Sequence, residues 1–168
     1  LYNSVLPPFK AAVDAGVRTF MNSFNTLNGI PATGNSFLQR DILKGAWGFN
    51  GFVVSDWASI AEMITHGYAS DGADAAKKAA IAGSDMDMES HIYVTELVSL
   101  VKNGVVKESV IDDATRRILR VKFELGLFDD PYKYCDEARE KASIGSKAHN
   151  DDVLDMAKKS IVLLKNEK

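Results

Sequence analysis

The sequence predicts an α/β fold with parallel strands. Three observations carry this reading. Helix-like and strand-like segments alternate in the order α-β-α-β-α-β from Leu6 to Met88. Each crossover between strands is long enough for a helix, and strands joined in this way run parallel. The loops that follow the strands collect the polar residues, where folds of this kind place their sites. The rhythm suits the last three β/α units of a (β/α)8 TIM-type barrel, or one half of a doubly wound sheet. A nucleotide-binding sheet is the weaker reading, because neither GxGxxG nor a P-loop pattern follows any strand.

Each element has its own signal. "LPPFKAAVDAG" reads as a helix, with Pro7 and Pro8 at its start and Gly16 at its end. "VRTFMNSFN" follows as a strand, rich in β-branched and aromatic residues. "NGIPATGN" is loop, broken by Gly29, Pro31 and Gly34. "SFLQRDILKGAWG" predicts a helix with Ser36 and Gln39 as a capping box and Leu38, Ile42, Leu43 and Trp47 in helical period. "GFVVSD" is the second strand, and a polar loop through His66 and Gly67 is expected after it. "DGADAAKKAAIAG" is a helix closed by Gly83, and "SDMDM" a short third strand.

Beyond Met88 the pattern turns helical. "HIYVTELVSLVKNG" is a helix ended by Gly104. In "ESVIDDATRRILRVKFELGLFDDP" the apolar face is Ile111, Ala114, Ile118, Val121 and Leu125. Ser109 is the expected N-cap and Gly126 the C-cap. "YCDEAREKASIGSKAHNDD" is polar and reads as linker, and "DDVLDMAKKS" as a helix feeding a last strand at Ile161–Leu164. Four consecutive apolar residues are typical of a buried parallel strand. Nothing follows for that strand to pair with, so a piece of a longer polypeptide is expected. The expected division is barrel portion 1–128, linker 129–150, and the start of a second domain 151–168.

Composition narrows the function classes. The 168 residues are 46% apolar and 26% charged with a net charge of −3, as in ordinary globular proteins. No basic block suggests nucleic acid, and no apolar run approaches a membrane span. Cys135 is the sole cysteine, which excludes an intrachain disulfide and a cysteine-based metal site. Asp56, His66, Asp85 and Asp87 are the types that ligate hard metals, but neither HxH nor HExxH spacing occurs, so no metal and no other cofactor is expected. None of the three strand ends carries a lysine for Schiff-base chemistry.

The strand ends bring Met21 to Asn25, Ser55 to Trp57, and Asp85 to Glu89 to one side of the sheet. Carboxylates beside an aromatic platform suit a sugar, since a carboxylate stabilises a cationic anomeric carbon and an aromatic face stacks on C–H groups. Each residue also has a plainer role. Asp56 suits a cap as well as a catalyst, and Trp57 suits packing as well as binding. Met21 and Phe24 more often pack than bind. Asp85 is expected to hydrogen-bond loop amides.

Five stretches then resemble a known family. "MNSFNTLNGIPATGN", "LQRDILKGAWGFNGFVVSDW", "GYASDGADAAKKAAIAGSDMDM", "RRILRVKFELGLFDDPY" and "AKKSIVLLKNE" resemble, in that order, glycoside hydrolase family 3, most strongly its bacterial periplasmic β-glucosidase branch. The resemblance implies the last part of a (β/α)8 barrel, a helical linker, and the first strand of an α/β sandwich domain. It implies retaining hydrolysis of terminal β-D-glucosyl residues in an oligosaccharide or aryl or alkyl β-glycoside, with Asp56 as nucleophile. It places Trp57 at the aglycone subsite and puts Met21 and Phe24 on a segment that usually reads Met-x-Ser-Tyr-Asn. Phe24 lacks the hydroxyl a tyrosine offers the nucleophile. The acid/base is expected beyond Lys168 and the sugar-gripping residues before Leu1. A periplasmic or extracellular location is implied. The alternatives are a β-xylosidase, a β-N-acetylglucosaminidase, whose motif usually lacks the Trp, or a non-catalytic carbohydrate-binding barrel.

Overall fold

Two short parallel strands anchor the fold. β1 (Thr19–Met21) pairs with β4 (Phe52–Val54), with Thr19 opposite Phe52, Phe20 opposite Val53 and Met21 opposite Val54. The structure is a computed structural model and describes residues 1–167. It divides into two units, Leu1–Phe128 and a second from Asp129 onward. Side chains alternate across a strand, so Phe20 and Val53 share one face. There they pack with Leu43, Phe49, Val13, Val17 and Trp47. On the opposite face Thr19 and Met21 are exposed.

The third expected strand shrinks to one parallel bridge, Val54 to Met86. The cause is local. A carboxylate oxygen of Asp85, rather than a peptide carbonyl, accepts the Val53 N–H at 2.8 Å, and Val53 O accepts from both Asp85 N and Met86 N. The arrangement is α/β, rich in helix and poor in strand, and consistent with a TIM-barrel-type fold.

The helices of the first unit are α1 (Leu6–Asp14), α2 (Ser59–Thr65), α3 (Gly72–Ala82), α4 (Ile92–Lys102) and α5 (Glu108–Glu124). α2 replaces the polar loop expected after the second strand. Its pattern is short and interrupted by Glu62 and Thr65, yet Ile60 and Met63 are spaced to share a face, and both are fully buried beside Ala69, Ala75 and Ala79. A hairpin of β2 (Thr26–Leu27) and β3 (Ile30–Pro31) runs into the loop expected at 28–35. Asn28 and Gly29 both have positive φ, which a tight turn between twisted antiparallel strands requires.

Two expected caps are corrected. The segment Phe37–Ala46 is a π-helix, whose wider turns bring Trp47 N to Ile42 O at 2.9 Å. Ser36 has helical φ and ψ and makes no side-chain cap bond. Asn35 Oδ1 accepts from Leu38 N instead, at 3.1 Å. Gln39 turns inward and donates to Ala32 O and Thr33 O, each at 3.0 Å. In α5, Ser109 lies inside the helix, and the capping position is Lys107, without a side-chain bond.

The second unit holds α6 (Glu137–Ser143) and α7 (Lys147–Ser160). Asp136 caps α6 by accepting from Arg139 N at 2.9 Å, and Ser146 caps α7 by accepting from His149 N at 3.3 Å. The stretch expected as linker is therefore helical in part, and α7 starts earlier than residue 151. The strand expected at Ile161–Leu164 is absent. Those residues carry no regular structure and are exposed. A strand exists only through its partner, and none pairs with them among the described residues. Lys168, the last residue of the expected second domain, lies outside the described residues. No described helix is long and apolar enough to cross a membrane.

Candidate active site

Beyond Val54 the chain delivers Ser55, Asp56 and Trp57 at the C-terminal end of β4. The entry to this strand is held from α5. Arg117 Nη1 donates to Phe49 O at 3.0 Å and Gly51 O at 3.1 Å, and Arg120 Nη1 donates to Asn50 O at 3.0 Å. Gly51 is needed for a close approach, because a Cβ there would stand 2.0 Å from Arg18 O.

The exit is also held. Ser55 is fully buried. Its N–H donates to Met86 O at 2.9 Å, and its hydroxyl accepts from Met88 N at 2.8 Å. Ala58 has a φ of +55°, an uncommon left-handed conformation for a residue with a Cβ. Its N–H donates to Met88 O at 2.9 Å. The chain thereby turns sharply from β4 into α2 and leaves Trp57 62% exposed. The Asp56 carboxylate accepts the Trp57 N–H at 2.7 Å through Oδ1.

Met21 stands beside this turn at the same end of β1, and its side chain is also exposed. Phe24 lies past β1, in the bend before the hairpin, and is 41% exposed. Met21 and Asp56 are thus on neighbouring parallel strand ends. A cleft of about 270 Å³ lies along β1 and is lined by Phe20, Met21, Asn22, Leu43 and Val53, but not by Phe24, Asp56 or Trp57. Of the expected site residues Met21 alone borders it.

Several contacts that support the site have no local sequence signal. Lys44 and Asp85 form a buried ion pair at 2.7 Å, with side chains 4% and 1% exposed. Lys44 Nζ also donates to Gly83 O at 2.8 Å. Burial pulls the Lys44 ammonium down to about 8 against the opposing Asp85 charge, and burial pushes the Asp85 carboxyl up. Asp85 has a structural role, but the amide it binds is Val53 within β4 rather than the loop amide expected, and Lys44 is its unforeseen partner. Asp87 accepts from Ser90 Oγ at 2.6 Å and Tyr93 N at 3.1 Å.

A second buried network joins the strand ends. Asn22 Nδ2 donates to Ser84 Oγ at 2.7 Å. Ser84 Oγ lies 2.9 Å from Thr33 O and 3.2 Å from Gln39 Oε1, which share its proton. The Thr33 and Ser59 hydroxyls are 2.9 Å apart. The only sequence signal was that these polar residues flank apolar runs. No cluster suited to a metal ion occurs among the described residues.

Residues 1–121 match the N-terminal domain of glycosyl hydrolase family 3. The chain belongs to that family. This family 3 chain is 43% identical over 99% of its length to a periplasmic β-glucosidase of Salmonella typhimurium and covers 22% of that protein. It is 39% identical over 96% of its length to a β-xylosidase of Formosa agariphila and covers 23% of it. A crystal structure of a β-glucosidase from Listeria innocua in complex with glucose superposes with a TM-score of 0.79 at 40% identity, over 85% of this chain and 19% of that one. A β-glucosidase involved in saponin metabolism from intestinal bacteria gives 0.81 at 40% identity, over 96% and 21%. The family 3 chain thus spans about a fifth of the length of these relatives.

Proposed function

We propose that this chain is the nucleophile-bearing part of a retaining, exo-acting β-glycosidase that removes terminal non-reducing β-D-glucosyl residues. The observation that carries the reading is the Asp56 turn. A carboxylate stands at the C-terminal end of a parallel strand, beside an exposed indole, on a backbone held from both sides. In this reading Asp56 attacks the anomeric carbon and a glycosyl-enzyme ester forms as the glycosidic bond breaks. A second carboxyl group protonates the leaving oxygen and then takes a proton from the water that cleaves the ester. That acid/base lies outside these 168 residues. Trp57 stacks on the aglycone, and Met21 and Phe24 present apolar surface to the sugar. The periplasmic relative supports a periplasmic or extracellular location.

The test uses the intact polypeptide that contains this sequence. A 2-deoxy-2-fluoro-β-D-glucoside that inactivates the protein is expected to leave its sugar on the peptide carrying Asp56. Sugar binding without any covalent label would support a non-catalytic carbohydrate-binding barrel instead. A second reading, β-xylosidase, is favoured by the Formosa relative. Glucoside and xyloside differ by one hydroxymethyl group, so the ratio of kcat/KM for the two aryl glycosides separates them.

A further inference from the structure

Between the end of β4 and Asp56 stands a residue that its surroundings do not explain by packing. Ser55 is fully buried after the apolar run Phe52, Val53 and Val54. A valine would suit a buried strand there better. A buried hydroxyl is tolerated when it is bonded, and this one uses both of its capacities. It accepts from Met88 N at 2.8 Å and donates to Asp56 O at 3.0 Å. Met88 O takes the N–H of Ala58 at 2.9 Å, and Asp56 O also receives Ser59 N at 3.1 Å. The backbone of Met88 therefore grips the turn on both sides of Asp56 and Trp57, at Ser55 through the hydroxyl and at Ala58 through the peptide.

We infer that Ser55 is a positioning residue for the nucleophile. Its hydroxyl transmits the position of the third strand end to the Asp56 backbone and fixes where the carboxylate stands. The inference rests on Asp56 being the nucleophile. Without the hydroxyl, Met88 N loses its acceptor and Asp56 O loses one of its two donors. The left-handed Ala58 turn is then held on one side only. The carboxylate drifts from the attack geometry, which rate feels far more strongly than ground-state binding does.

The experiment compares Ser55→Thr with Ser55→Val in the intact polypeptide. The two side chains have the same shape, and one has a methyl where the other has the hydroxyl. Inactivation by the 2-deoxy-2-fluoro-β-D-glucoside is followed, with its binding constant and first-order rate constant separated and the labelled residue mapped. The Val variant is expected to be labelled at Asp56 about tenfold more slowly than the Thr variant, the effect of losing both hydrogen bonds of the buried hydroxyl on the position of the carboxylate. The binding constants are expected to agree within about twofold. Equal rate constants with the label on Asp56 would overturn the role of Ser55 and leave the nucleophile standing. A label on another residue would overturn both. Ser55→Ala adds no atoms to the buried site and is run against the unsubstituted protein under the same criteria. Misfolding of the two larger variants therefore still leaves a decisive comparison.

Discussion

The backbone N–H of Trp57 donates to Oδ1 of Asp56 at 2.7 Å. The side chain of Asp56 is thus oriented by the residue that follows it, and the strand behind it is not held together by that carboxylate. Replacement of the carboxylate is expected to separate activity from stability. Asp56→Asn should lower kcat for an aryl β-glucoside by about 10⁴-fold, with a thermal midpoint close to that of the unsubstituted protein. A large loss of stability with modest loss of rate would make Asp56 a cap.

Trp57 is mostly exposed and lies outside the apolar core. Trp57→Ala is expected to reduce kcat/KM for substrates with an aromatic aglycone by about tenfold, the worth of a stacked aromatic contact. Substrates with a small alkyl aglycone should lose less. Steady-state kinetics on the two substrate types checks this, and equal losses would remove Trp57 from the aglycone side.

The Lys44–Asp85 pair is buried and every Lys44 donor has an acceptor. Breaking such a pair strands a charge. Asp85→Asn is expected to destabilise the fold by about 3–5 kcal/mol. Lys44→Met combined with Asp85→Leu should recover part of that. The remainder is the Val53 N–H left without its acceptor, a cost of about 1–3 kcal/mol. Urea unfolding of the single and double variants measures both terms.

Asp113 gives a pH signature. Burial pulls its carboxyl up, but the bond from Arg40 and the charge of Arg117 outweigh this and hold it below its ordinary 3.8. The folded state therefore releases this proton more readily than the unfolded chain. The stabilisation is complete above the unfolded value and disappears as pH falls through the lower folded value. Asp113→Asn should flatten the acid limb of the stability curve below about pH 4. Urea midpoints measured across that limb would show no difference if the Arg40 and Arg117 contacts did not favour the ionised form.

The 168-residue chain alone is expected to release no nitrophenol from an aryl β-glucoside above the buffer rate. In the proposed reading it holds the nucleophile but not the acid/base, nor the residues that grip the sugar. Turnover by the purified chain would show that these residues alone make up a working site.

The helices with regular apolar spacing or strong punctuation were legible in advance. Pro7 and Pro8 open α1, and Gly83 closes α3 with a φ of +110°. The strand into Asp56 was legible from "GFVVSD" and its composition. α2 was not, because a short helix carried by Ile60 and Met63 leaves little periodic signal. The cap at Ser36 failed because two adjacent residues, Asn35 and Ser36, are both good caps, and the backbone entering the π-helix selected the first. The apolar composition of Ile161–Leu164 describes a need for burial and supplies no partner for a strand.

The sequence by itself determined the alternation of helix and strand, the parallel sense of β1 and β4, the family, and Asp56 as the carboxylate that closes an apolar run. These follow from local spacing and residue type, which any stretch of chain carries with it. Tertiary structure alone decided which polar residues meet. Lys44 finds Asp85, Arg117 finds the carbonyls before β4, and Ser55 finds Met88 across gaps of many residues. A buried donor must find an acceptor wherever the fold brings one, and that pairing is written in no local pattern.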